Sequence, residues 1–141
     1  MLRQVIYCGR PQAESAMPIS SWAVISITEP GCPDGQARLQ PGWHSVLRLE
    51  FHDLDANSPE WDIAAGQFVF MNEQHAHEVI EFVDRVAGEV DTILVHCRAG
   101  ISRSAAVAKF VANRFGLEFD HGYPLFNKHV FQTLEQAARK R

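Results

Sequence analysis

The chain has 141 residues, of which 46% are hydrophobic and 21% charged, as is usual for a globular protein. This length fits a single domain spanning residues 1–141 with a buried core. The net charge of −4 disfavours a general nucleic-acid binder, and there is no apolar run of about 18 residues that would predict a membrane span.

The cysteines, the histidines and the N-terminus bear on disulfide bonds, metal binding and cellular location. The three cysteines, Cys8, Cys32 and Cys97, are an odd number without a CxxC pair, which indicates reduced thiols rather than a disulfide framework. The seven histidines lack the spacing of metal ligands, so we expect no metal and no other cofactor. The N-terminus, MLRQVIYCGR, lacks the apolar stretch of a signal peptide, and we expect a cytoplasmic protein.

The first half of the chain predicts three strands. Residues Gln4 to Tyr7 form the first, and a short helix or turn follows around Gln12 to Ala16. The apolar run WAVISI, Trp22 to Ile27, predicts a buried strand that ends at the turn sequence EPGCPDG. Apolar and charged residues alternate over Ser45 to Phe51, which predicts a half-buried strand, and residues 52–71 read as a long loop.

The second half alternates helices with a strand. A helix begins near Asn72 and ends by Gly88, and the strand Thr92 to His96 follows. Two more helices are predicted over 102–115 and 127–138. The order of these elements predicts an α/β fold with a mainly parallel sheet of about four to five strands flanked by helices. In such sheets, ligands bind beyond the carboxyl ends of the strands.

One such end reads VHCRAGISRS, in which Cys97 and Arg103 flank a loop of small residues before a helix. Backbone N–H groups at a helix start lack intrahelical partners, and the helix dipole is positive there. Together with the Arg103 fork they predict a cradle for a tetrahedral oxyanion, and the same groups stabilise a Cys97 thiolate. A thiolate beneath a bound phosphate predicts phosphoryl transfer through a cysteinyl-phosphate.

The sequence contains a second Cys-x5-Arg stretch, which serves as a comparison. In CPDGQAR, Cys32 precedes Arg38 by the same six positions. There Pro33 lacks an N–H, Asp34 repels an anion, and Pro41 and Gly42 stop any helix after the arginine. The spacing alone is therefore a weak pattern. The Cys97 stretch predicts an anion site because a strand, a loop of small residues and a helix surround it.

The residues HCRAGISRS resemble the signature loop of the cysteine-dependent protein tyrosine phosphatases, HCx(A/E)GxxR(S/T), most closely in its dual-specificity form. The stretches WAVISITEPG and VLRLEFHD are similar to small bacterial members of that superfamily. The resemblance implies that Cys97 is the nucleophile, that Arg103 binds phosphate, that Ser104 assists the departing thiolate and that His96 supports the loop. It assigns phosphate binding through the backbone to Arg98, Ala99, Gly100, Ile101 and Ser102.

A general acid must protonate the leaving oxygen, and the resemblance assigns this role to an aspartate on a separate loop. Asp53, Asp55 and Asp62 are the candidates, and we rank Asp53 first because it directly follows a strand end. Asp55 is second and Asp62 third. Asn127 is a minor candidate for a polar group near the phosphate, and we interpret it first as a helix N-cap.

The loop composition bears on the substrate. Arg98 is the only added cation and Ile101 stands where phosphoinositide phosphatases are often basic, which favours a singly phosphorylated group. We expect a phosphotyrosine phosphatase with a phosphoprotein or other phosphate ester as its partner, and the sequence leaves open whether phosphoserine and phosphothreonine are substrates too. Two alternatives remain open. One is a phosphate-binding module without catalysis, and the other is an arsenate-reductase-like or sulfurtransferase-like enzyme, for which Cys8 or Cys32 would be the second thiol.

Overall fold

The computed structural model of the protein describes residues 1–54 and 68–141, which form a parallel sheet flanked by helices. In chain order the elements are β1 (Gln4–Gly9), α1 (Arg10–Ser15), β2 (Trp22–Thr28), β3 (Ser45–Glu50), α2 (Glu73–Val86), β4 (Thr92–Cys97), α3 (Arg103–Phe115) and α4 (Lys128–Arg139). The strands lie in the order β1-β4-β2-β3, and every pairing is parallel. The predicted α/β class and the parallel sheet are confirmed.

The position of each strand in the sheet follows from its pattern of side chains. All six residues of β4 are buried, and so are six of the seven in β2, because both strands are apolar on both faces and lie in the middle of the sheet. β3 lies at an edge and alternates, with Leu49 buried beside the exposed Arg48 and Glu50. The prediction of a half-buried strand here is confirmed.

One face of the sheet carries the main core. Ile25, Ile93 and Val95 pack there against apolar side chains of α2, α3 and α4. Complete burial of such a side chain contributes about 1.5–3 kcal/mol to folding, which makes this face the main source of stability. α1 contacts β1 and β4 and buries Ala13 completely. Within residues 1–54 and 68–141, no helix combines the length and the apolar character needed to cross a membrane.

Helix ends confirm several boundaries predicted from capping residues. Asn72 caps α2 by accepting a hydrogen bond from the backbone N–H of His75, and the His75 ring accepts one from the Asn72 N–H in return. Gly116 ends α3 in the left-handed conformation with φ +66°. Asn127 caps α4 through the N–H of Val130, as predicted.

The register of the strands brings their carboxyl ends to one edge. Gly9 at the end of β1 is opposite Cys97 at the end of β4, and Thr28 at the end of β2 is opposite Glu50 at the end of β3. The residues that follow these four strands are therefore neighbours in space although they are distant in sequence. This edge of the sheet holds the candidate active site.

Candidate active site

The loop of residues 98–102 joins β4 to α3, and Cys97 and Arg103 lie at its two ends. Cys97 is the last residue of β4 and only 2% exposed, and Arg103 is the first residue of α3 and 3% exposed. Burial of an arginine to this degree requires partners for its charge. The local order of strand, loop and helix is the one predicted from the sequence.

Three carbonyl groups of this loop accept hydrogen bonds from surrounding elements. The Arg10 N–H donates to Arg98 O at 3.0 Å, the Tyr123 hydroxyl to Ile101 O at 2.7 Å and the Asn127 N–H to Ser102 O at 3.0 Å. No described residue accepts a hydrogen bond from the backbone N–H groups of residues 98–102. With their carbonyls bound outward, these N–H groups remain available to an anion at the start of α3.

The loop can take this path only because residue 100 is glycine. Gly100 has φ +74°, and a Cβ atom at this position would collide with the backbone of Cys8 and Gly9 at the end of β1. Glycine removes both the steric clash and the cost of the left-handed conformation. The end of β1 thus packs directly against the phosphate-loop candidate and supports its shape.

Arg103 is held from two sides and keeps one nitrogen without a partner. Its Nη1 donates to the Phe51 carbonyl and its Nη2 to Glu29 Oε1, both at 2.8 Å. Its Nε is buried and has no hydrogen-bond partner among the described residues. Burial opposes the charge of Glu29, but the hydrogen bond and charge of Arg103 outweigh it and lower the pKa of that carboxyl. The unsatisfied Nε is what an oxyanion ligand would bind.

Cys97 and His96 alternate across β4 and make different contacts. Cys97 Sγ lies 3.1 Å from Ser104 Oγ, and both side chains are buried. His96 Nε2 lies 2.6 Å from Ser26 Oγ, and its Nδ1 lies 3.4 Å from the Cys97 carbonyl. Burial lowers the pKa of His96 and favours the neutral ring. The neutral ring contacts the backbone of the nucleophile candidate rather than its sulfur.

Asp53 lies beside the end of the loop. Its Oδ1 accepts hydrogen bonds from Ser102 Oγ and from Asn127 Nδ2, each at 2.8 Å. The chain around it is fixed by His52, whose N–H donates to Val69 O at 2.7 Å and whose Nδ1 accepts from the Val69 N–H at 2.9 Å. Of the other acid candidates, Asp55 and Asp62 lie outside the described residues.

The two remaining cysteines differ in their relation to Cys97. Cys8 is opposite His96 in the sheet, and burial, with a smaller electrostatic contribution from the neighbouring Cys97, raises the pKa of its thiol. Cys32 lies in the turn after β2, where its Sγ is 3.8 Å from Arg10 Nη1. No helix follows Arg38, so the second Cys-x5-Arg stretch lacks the helix N-terminus of the first. Among the described residues, no three side chains of His, Cys, Asp or Glu lie close enough together to hold a metal ion.

Three contributions to the site were not predicted from the sequence. Glu29 pairs with Arg103, Tyr123 binds the loop carbonyl at Ile101, and Asn127 contacts Asp53 in addition to capping α4. Burial of the Tyr123 phenol, with a smaller electrostatic contribution from Cys97, raises its pKa and keeps it a donor. Glu29 lies just after a strand end, and Asn127 was a minor candidate for a polar group near the phosphate, but no feature of the sequence indicated Tyr123.

Comparison with known proteins gives a match in structure alone. No protein-family model matches the sequence, and no curated protein matches it. The fold is similar to the crystal structure of a human tyrosine phosphatase-like serine/threonine/tyrosine-interacting protein, with a TM-score of 0.55 and 18% sequence identity. The match covers 86% of this chain and 78% of that one. The chain therefore has a phosphatase-like fold.

Proposed function

We propose that the protein is a metal-independent phosphoric monoester hydrolase that dephosphorylates phosphotyrosine through a cysteinyl-phosphate intermediate. The observation that carries the proposal is the buried Arg103, whose Nε lacks a partner among the described residues beside a loop whose N–H groups are also free there. A dianionic phosphate would satisfy all of these donors at once. Cys97, at the start of the same loop, would then lie beneath its phosphorus atom.

In the first step, the Cys97 thiolate attacks phosphorus and forms an S–P bond while the P–O bond to the leaving group breaks. Arg103 and the loop N–H groups stabilise the charge on the three equatorial oxygens. Asp53 gives its proton to the departing oxygen, which leaves as a phenol or alcohol. Asp53 is suited to this role because its carboxylate lies at the end of the loop, bound to Ser102.

In the second step, water attacks the phosphorus of the cysteinyl-phosphate and transfers a proton to the Asp53 carboxylate. The S–P bond breaks, inorganic phosphate leaves and the thiolate is regenerated. Ser104 Oγ, 3.1 Å from Sγ, donates a hydrogen bond to the departing thiolate and makes sulfur a better leaving group. The neutral His96 needs to take no proton in either step.

A singly phosphorylated protein side chain suits this loop. Arg98 is the one exposed cation among residues 98–102, and Ile101 of the same loop is 47% exposed and apolar. An apolar contact at the entrance favours an aryl group such as tyrosine over a highly charged inositol phosphate. The same loop would also accept phosphoserine and phosphothreonine, which a comparison of matched phosphopeptides will separate.

A second candidate function is binding of phosphoproteins without turnover. It is favoured by the fold similarity to a protein described as phosphatase-like and as interacting with serine, threonine and tyrosine. An arsenate-reductase-like or sulfurtransferase-like reaction is less well supported, because it needs a second reactive thiol. Cys8 is the thiol nearest in the sheet, and its raised pKa disfavours the reactive thiolate.

The decisive experiment is hydrolysis of p-nitrophenyl phosphate in the presence of a chelator and a reductant. We expect turnover in the wild type and none in Cys97→Ser. The matched control is Cys32→Ser, which removes the thiol of the other Cys-x5-Arg stretch and should leave the rate unchanged. A wild type that binds orthovanadate but does not turn over would favour the binding module. Absence of both turnover and oxyanion binding would refute the anion site itself.

A further inference from the structure

The side-chain amide of Asn127 joins separate parts of the chain, and both its N–H donors and its oxygen have partners. It is 2% exposed, its Oδ1 accepts from the Val130 N–H at 2.9 Å, and its Nδ2 donates to Asp53 Oδ1 at 2.8 Å and Leu54 O at 3.1 Å. Its backbone N–H also binds Ser102 O. A helix cap requires only the first of these contacts.

The two side-chain donors to Asp53 contact the same oxygen. Ser102 Oγ and Asn127 Nδ2 both lie 2.8 Å from Oδ1. In a protonated carboxyl group, the oxygen that accepts two hydrogen bonds is the carbonyl oxygen, so the proton belongs on the other one. These contacts therefore favour a proton on Oδ2 of Asp53 rather than on Oδ1, and they hold the carboxyl group in one plane.

We propose that Asn127 is a positioning residue that, with Ser102, holds Asp53 so that its Oδ2–H faces the leaving oxygen. The inference rests on the proposed phosphatase function and deepens it, because it couples the acid to the phosphate loop and to the start of α4. Asn127 touches neither the substrate nor the sulfur and acts only through Asp53. Its loss removes the alignment of proton transfer and leaves nucleophilic attack intact.

The test uses Asn127→Ser in the full chain, because serine keeps the N-cap oxygen for Val130 and removes the amide donor. Leaving groups of different acidity separate alignment of the acid from general damage. The quantity compared is kcat/KM, which reports only the steps up to formation of the cysteinyl-phosphate and so excludes the second role of Asp53 as a base. With 2,4-dinitrophenyl phosphate, which needs no proton, kcat/KM should stay within about twofold of wild type. With phenyl phosphate, which needs one, it should fall by about tenfold or more.

Two further variants make the test independent of folding effects. Ser102→Ala removes the other donor to Oδ1 and should give the same selective loss. Asn72→Ser removes the equivalent amide at the cap of α2, whose side chain contacts the N–H of His75, and should leave kcat/KM for both substrates unchanged. In an Asp53→Asn background, Asn127→Ser should add nothing to the loss with phenyl phosphate, because the two residues act as one unit.

The outcomes separate this inference from the proposed function. An equal loss of kcat/KM with both substrates in Asn127→Ser and Ser102→Ala would overturn the positioning role while the phosphatase stands. Additive effects of Asn127→Ser and Asp53→Asn would overturn it as well. A wild type without turnover of either substrate would overturn the phosphatase, and the positioning role with it.

Discussion

Glu29 holds Arg103 by an ion pair of 2.8 Å between the end of β2 and the start of α3. The pair also orients the guanidinium group, because the Phe51 carbonyl binds the other terminal nitrogen. Glu29 lowers the net positive charge of the candidate anion site, yet it keeps Arg103 in one orientation. Two substitutions at this position separate the charge from the orientation.

Glu29→Gln keeps an oxygen acceptor for Arg103 Nη2, whereas Glu29→Ala removes it. If orientation matters more than charge, kcat/KM for p-nitrophenyl phosphate should fall roughly tenfold further in Glu29→Ala than in Glu29→Gln, a difference of about 1.4 kcal/mol. Steady-state kinetics of the two variants measure it. Equal losses would show that the charge of Glu29, not the alignment of Arg103, is what the site requires.

Gly100 and Gly116 allow a matched test of the loop backbone. Both have positive φ, +74° and +66°, but a Cβ atom at Gly116 would meet nothing within 4 Å. Gly116→Ala should cost the free energy of unfolding about 1 kcal/mol and leave activity unchanged. Gly100→Ala adds the collision with β1 and should abolish orthovanadate binding. Urea denaturation and competitive inhibition measure the two effects, and normal vanadate binding in Gly100→Ala would contradict the proposed path of the loop.

Ser104→Ala should slow the second chemical step and spare the first. A hydrogen bond to a charged group contributes about 1.5–3 kcal/mol, which corresponds to a roughly 10- to 100-fold slower breakdown of the cysteinyl-phosphate. Stopped-flow measurement should then show a burst of p-nitrophenol followed by a slow steady state. Ser104→Thr keeps a hydroxyl and should turn over faster than Ser104→Ala. A variant that loses the burst as well would place Ser104 in the first step.

His75 links the pH to the stability of the protein. Burial lowers its pKa in the folded state, so the unfolded chain binds a proton more readily. The neutral, partly buried His75 ring is therefore compatible with full stability above the ordinary histidine pKa of about 6.5. As the pH falls below that value towards the lower pKa of the folded state, the unfolded chain takes up the proton first and the free energy of unfolding decreases. Gln fits the same capping box without titrating. In urea denaturation between about pH 7.5 and 5.5, the free energy of unfolding should fall less steeply with pH in His75→Gln than in wild type. Some loss should remain, because burial also lowers the pKa of His96. An unchanged slope would exclude His75 as its source.

The sequence predicted the parts of the site that depend on neighbouring residues. Cys97, the small-residue loop and Arg103 are adjacent in the chain, so the change from strand to helix could be read directly. Asp53 was ranked first because it follows a strand end, and the structure places it in contact with Ser102. The assignment of the acid stays a prediction, since Asp55 and Asp62 lie outside the described residues.

The contacts that the sequence did not predict join residues far apart in the chain. Glu29 and Arg103 are 74 positions apart, and so are Asp53 and Asn127. Their meeting depends on the strand order β1-β4-β2-β3, which places the end of β2 beside the end of β4 and the end of β3 one strand further on. Strand periodicity indicates which residues form a strand and which face is buried, but carries no information about the order of the strands.

The pair of hydrogen bonds between His52 and Val69 has a consequence for how this protein could diversify. They close the chain immediately before Asp53 and immediately after residue 68, so the position of Asp53 is set by β3 and by this closure. An insertion, deletion or exchange of sequence between residues 55 and 67 would begin and end at the same two anchored points. Such changes should therefore leave the position of Asp53 and its contact with Ser102 unaltered.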